Sequence, residues 1–138
     1  IEKDGRTAQQ FEASLRESIH ELSFIPILFI SALTKKRVFG LLDIAISVYE
    51  ERQRHVPTAE LNRILQEAVA KNHPPSFGNR YVKINYVTQT RDNPPCFTFF
   101  TNHPRGVRQN YRNYLENQFR SQLGFMGVPI SFRFKQKN

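Results

Sequence analysis

The stretch Tyr81-Val82-Lys83-Ile84-Asn85-Tyr86-Val87-Thr88 decides the fold. Val82, Ile84 and Tyr86 alternate with Lys83 and Asn85, the two-residue period of a β-strand with one face buried and the other wet. Downstream, the polar and Pro-containing Gln89–Pro95 reads as a turn into a second apolar run, Cys96–Thr101. A loop at 102–106 containing His103-Pro104 then leads to a helical period. Tyr111, Leu115, Phe119 and Leu123 recur every four residues, predicting a helix from Arg108 to Gln122 with that stripe buried. On its surface Arg112, Glu116 and Arg120 form an i, i+4 charge ladder. Val128–Phe134 alternates again, with Ile130, Phe132 and Phe134 inward and Ser131, Arg133 and Lys135 outward. Upstream, Leu61, Ile64, Leu65, Ala68 and Val69 mark a helix with Thr58 as its N-cap and Pro74-Pro75 as its stop. The order is α-β-β-α-β: three strands with two helices on one face, an α+β two-layer sandwich large enough to fold alone.

Residues 1–55 read differently. Thr7 and Gln10 have capping-box spacing, and Phe11, Leu15, Ile19 and Leu22 follow on one helical face. Ile25–Ile30 is continuously apolar, as in a parallel strand buried on both faces. The turn Ser31-Ala32-Leu33-Thr34 precedes a helix over Val38–Tyr49, with Leu41, Leu42, Ala45, Ile46 and Tyr49 expected inward. Such a strand needs neighbours for its backbone groups, and this segment holds none. Residues 1–55 therefore read as the last α-β-α unit of a doubly wound α/β sheet. The alternative is that its strand joins the sheet of the second part. Glu50-Glu51-Arg52-Gln53-Arg54-His55 is the hydrophilic join, which places the domains at 1–55 and 56–138.

The charge follows this division. The 138 residues carry 20 Lys and Arg against 12 Asp and Glu, a net charge of +8. Residues 1–55 hold eight basic and eight acidic groups, whereas 56–138 hold twelve basic groups against Glu60, Glu67, Asp92 and Glu116. The whole excess sits on the second part and points to a polyanionic partner. Arg133, Lys135 and Lys137 alternate along one side of the last strand, and Arg105, Arg108, Arg112 and Arg120 lie on or just before the last helix. These seven are the candidate phosphate contacts.

Several classes are excluded. A single cysteine allows no internal disulfide and no Cys-cluster zinc site, and suits a reducing compartment. The four histidines lack metal-ligand spacing, so no metal residues are named. No apolar run reaches the roughly 20 residues of a membrane span, and the start Ile1-Glu2-Lys3-Asp4 lacks the pattern of a signal peptide. Cys96 and His103 form no credible nucleophile pair, because nothing supplies an oxyanion hole or an orienting acid. None of the six glycines opens a GxxxxGK[ST] loop, so the chain carries no catalytic residues for phosphoryl transfer. Gly124-Phe125-Met126-Gly127 formally matches a GXXG clamp, but its place between the last helix and strand suits a helix C-cap at Gly124.

Particular residue strings carry a resemblance. The turn Ser31-Ala32-Leu33-Thr34 is similar to the fifth guanine-nucleotide motif of Ras-like GTPases. Leu61-Asn62-Arg63-Ile64-Leu65, Lys83-Ile84-Asn85-Tyr86, Asn110–Asn117 and Pro129–Phe134 resemble the C-terminal KH-like domain of the bacterial double-domain GTPases called Der or EngA. The resemblance covers essentially the whole chain. It implies a KH-like α-β-β-α-β sandwich preceded by the α-β-α end of a Ras-like GTPase domain, starting just after its Asn-Lys-x-Asp motif. It implies nucleotide contact in the parent through the backbone at Ser31, Ala32 and Leu33, with GTP and Mg²⁺ as the parent's cofactors and none in this fragment. The implied partners are the large ribosomal subunit with its rRNA and the parent's GTPase domains, in the cytoplasm, during ribosome biogenesis. A KH-type clamp helix is replaced by the loop 102–107, so contact by charge and shape is expected rather than sequence readout. The competing reading is a regulatory module that docks on a GTPase domain without binding RNA.

Overall fold

The computed structural model describes residues 5–19, 24–28 and 38–138. The chain divides into two compact units, Ile1–Glu51 with Met126–Val128, and Arg52–Phe125 with Pro129–Asn138.

In the first unit α1 spans Gly5–Ser18 and α2 spans Val38–Arg52. Helix α1 starts two residues ahead of Thr7, so Thr7 lies inside the helix and not at its cap. An Arg16–Glu12 pair at 2.9 Å braces its surface. Residues 25–28, the described part of the expected strand, are assigned to no strand; the rest of it and Ser31, Ala32 and Leu33 lie outside the described residues. The expected inward stripe of α2 is not buried. Leu41, Leu42, Ala45, Ile46 and Tyr49 are all exposed, and so is Phe39, to 86%. Periodicity identifies the apolar side chains, but burial needs a partner surface, and the described residues of this unit supply none for them.

In the second unit α3 (Thr58–Lys71) begins directly after Pro57, which occupies the N-cap position; Thr58 is the first helical residue, and no side chain caps this end. Leu61, Ile64, Leu65 and Ala68 are buried as the period requires. Strand β1 covers Ile84–Asp92, β2 Pro95–Thr101 and β3 Ser131–Gln136; α4 covers Gln109–Leu123, after a short 3₁₀ turn at Pro104–Gly106. The sheet order is β1-β2-β3, with β1 antiparallel and β3 parallel to the central β2. The chain crosses from β2 to the parallel β3 through α4, the connection that a parallel pair demands.

One expectation for β1 fails. Val82 and Ile84 are buried, but Tyr86 is 41% exposed and Val87 and Gln89 are buried instead. The register explains it: Ile84 pairs with Thr101 and Tyr86 with Phe100, so β1 carries one extra residue between them. That bulge reverses which face each following side chain takes. A second shift between Gln89 and Arg91 follows, and the strand runs on to Asp92, so the turn is shorter than expected.

The core lies between the sheet and the two helices α3 and α4, with its aromatic part under α4. Phe99 stacks on Phe134 (centroids 5.0 Å) and meets Phe119 edge-on at 5.3 Å, while Phe97 meets Phe125 edge-on at 5.9 Å. Tyr111, Leu115, Phe119 and Leu123 are buried as predicted. Polar atoms close the gaps. Tyr114 donates to Ala68 O at 2.6 Å and Tyr111 to Asn72 O at 2.7 Å, satisfying carbonyls at the end of α3. Asn62 accepts from Val87 N–H at 3.0 Å and donates to Val87 O at 2.9 Å, so α3 seals part of the outer edge of β1. Gly124, at φ +84, ends α4 and donates to Arg120 O, which makes the GXXG string a helix stop.

Candidate nucleic-acid interface

The seven basic side chains expected to meet phosphate fall into three environments. Arg133 and Lys135 alternate on β3, opposite in phase to Phe132 and Phe134, and are exposed on the sheet face away from the helices. Lys137 continues this row, its backbone N–H donating to Thr101 O at 2.9 Å. The register sets Lys135 beside Phe100 and Tyr86, and Arg133 beside Thr98 and Thr88. After the second irregularity Arg91 pairs with Cys96 and rejoins this face.

Arg105 lies in the 3₁₀ turn and Arg108 two residues after it, and both are exposed. The Arg108 guanidinium lies 5.6 Å from the Phe77 ring centre, and Phe77 packs against His103 at 5.2 Å. The turn is tight because Gly106 is hemmed in: a Cβ there would stand 2.5 Å from His103 Cδ2 and 2.8 Å from Val82 Cγ2.

Arg112 and Arg120 are half-buried. Arg112 donates to Val107 O at 2.9 Å and Pro104 O at 3.3 Å, and lies 4.4 Å over the Phe134 ring. Arg120 reaches Glu116 at 3.7 Å and Phe125 O at 3.3 Å, with 15% of its side chain exposed. Burial pulls the Arg120 pKa down, and Glu116 opposes that shift. Both guanidiniums tie α4 to neighbouring segments. The expected ladder keeps only its Glu116–Arg120 rung.

Sequence reading missed Tyr86 and Arg91 as members of the open face, because both positions follow irregularities that an alternating pattern does not show. Lys83, just ahead of β1, is exposed as its place in the alternation predicts, and adds a cation to the seven named from the sequence. Cys96 and His103 stand on opposite sides of the length of β2, about 20 Å apart along an extended strand, so they form no nucleophile pair. Among the described residues no cluster of His, Cys, Asp and Glu could hold a metal ion, and no helix is long and apolar enough to cross a membrane.

The α-β-β-α-β order and mixed sheet define a KH-like module. Residues 55–135 match the family model described as the KH-domain-like domain of EngA bacterial GTPase enzymes, C-terminal, and the chain belongs to that family. It is 44% identical to GTPase Der of Chlorobium luteolum over 137 residues, 99% of this chain and 31% of that protein. GTPase Der of Thermomicrobium roseum is 44% identical over 135 residues (97% and 29%), and that of Chloroherpeton thalassium 39% over 137 residues (99% and 32%). The chain thus spans about a third of the length of the relatives it matches.

Proposed function

We propose that this chain is the C-terminal part of a cytoplasmic GTP-binding protein that acts in assembly of the large ribosomal subunit, its basic KH-like module contacting rRNA. The observation that carries this is the row Arg133, Lys135 and Lys137 on an open sheet face. The module's carboxylates lie elsewhere: Glu60 and Glu67 on α3, Glu116 on α4, and Asp92 at the end of β1, where His55 Nδ1 meets it at 2.7 Å. A cationic face without interleaved anions suits a phosphate backbone. In this reading residues 1–55 end the second GTPase domain, and GTP and Mg²⁺ belong to the upstream motifs. The exposed apolar row of α2 supports a larger domain around that unit. The fragment by itself hydrolyses no GTP.

Titrating the 138-residue chain with large-subunit rRNA at increasing salt tests the RNA contact. The expected result is a linear fall of log K with log salt, with a slope of about −0.7 to −0.9 for each phosphate engaged. No binding at about 50 mM salt would leave the alternative, a module that docks on a GTPase domain.

A further inference from the structure

The open face of the sheet carries an aromatic stack as well as charge. The Tyr86 and Phe100 rings lie 4.6 Å apart and 18° from parallel, and Tyr86 is exposed on the outermost strand. Tyr86 is 41% exposed on an edge strand while Phe100 is half-buried, so part of the stacked pair's apolar surface meets water, at a cost that a covering group would relieve. Lys135 stands next to Phe100 in the same row, and Arg133 one row further along. In the Arg133 row Thr98 is buried, and its hydroxyl shares a hydrogen bond with Thr90 at 2.9 Å.

We propose that this open face binds single-stranded RNA, one unpaired base continuing the Tyr86–Phe100 stack while Lys135 and Arg133 hold the adjoining phosphates. This rests on the reading of the module as RNA-contacting, and adds to it the face used, the strandedness of the ligand and the aromatic anchor. The chemistry selects among anionic partners. A duplex keeps its bases stacked on one another and offers the ring nothing. An acidic peptide would meet the cations but leave the ring face unused. An unpaired base satisfies both, since every base has a face to stack and a phosphate on either side. The site lies on the sheet surface opposite α3 and α4, so it needs neither the 3₁₀ turn nor the glycines after α4.

The test measures binding of the 138-residue chain to a labelled single-stranded RNA of about ten nucleotides, and to the same sequence as a duplex, across a salt series. Wild type should prefer the single strand. Tyr86→Leu should bind about tenfold more weakly with an unchanged salt slope, because it removes stacking and no charge. Lys135→Gln should lower the slope by about 0.7, because it removes one phosphate contact. Thermal unfolding of each variant shows that it remains folded, and Phe100→Leu repeats the stacking test from the other ring. Single-strand binding untouched by Tyr86→Leu and Phe100→Leu, but weakened by the double variant Arg105→Gln/Arg108→Gln, would overturn this site and leave the RNA-contacting function standing. Equal competition by polyglutamate together with an inert Tyr86→Leu would overturn it in favour of an acidic protein partner. Absence of any RNA binding at low salt would overturn the functional reading itself.

Discussion

Gln89 shows how one polar side chain ties the linker to the sheet. It is buried where β1 turns inward after the bulge. Its Oε1 accepts from Val56 N–H at 2.7 Å and its Nε2 donates to Arg54 O at 3.0 Å, so it satisfies two backbone groups of the segment entering α3. Gln89→Leu keeps the bulk and strands both groups, and should destabilise the module by about 1–3 kcal/mol in denaturant unfolding. Glu67 gives a pH signature. A hydrogen bond from Gln122 at 3.0 Å, then one from Arg63 at 2.7 Å, hold its carboxyl below its ordinary value of 4.5. A folded-state pKa below the unfolded one stabilises above the unfolded value and loses that contribution as pH falls through the folded value. The stability difference between wild type and Glu67→Gln should therefore be constant near neutral pH and vanish as the solution is acidified below about pH 4. At this scale the sequence revealed charges but not their partners. Arg112 and Arg120 read as a solvent-facing ladder because helical spacing is visible, whereas the carbonyls of Pro104, Val107 and Phe125 that they reach become neighbours only in three dimensions.

Among the elements, α4 was the most legible. Four large apolar residues at i, i+4 spacing leave no other face to bury, and all four are buried. Its end was legible too, since glycine is the residue that tolerates φ +84. Phe119 sits at the centre of the aromatic core, against Phe97, Phe99 and Phe132. Phe119→Ala should cost about 3–5 kcal/mol, read as a lower denaturant midpoint with the slope unchanged. β1 was half legible. Its alternation is genuine through Ile84 and then inverts, because an extra residue changes the count without changing the composition. The open face of the candidate site inherited this error: Arg133 and Lys135 could be placed from β3 alone, but Tyr86 was put on the wrong side.

Across the whole molecule, the two units differ in how completely they bury what is apolar. The module closes its core with phenylalanines that are fully buried, whereas α2 exposes Phe39, Leu42 and Tyr49, the last to 65%. Exposed apolar rows of this kind promote self-association and dye binding. Phe39→Glu combined with Leu42→Glu should reduce both in the isolated chain, measured by light scattering and fluorescence, without lowering the unfolding temperature of the module. The division of charge has the same origin in organisation: a neutral first part and a basic second part were visible by counting, because net charge needs no geometry.

The bulge at Asn85 makes that position a counter. Its side chain is half-exposed, and the position has no partner across the β1–β2 ladder. Exchanging Asn85 for another small polar residue leaves the reading frame of the strand intact. Deleting it would close the bulge: Tyr86 would follow the inward Ile84 directly, and plain alternation would keep Tyr86 on the wet face and Val87 and Gln89 in the core, with Ile84 still opposite Thr101 and Tyr86 opposite Phe100. An insertion or deletion within the regular stretch that follows has no such spare place, and one letter there would turn the strand's wet and dry sides over.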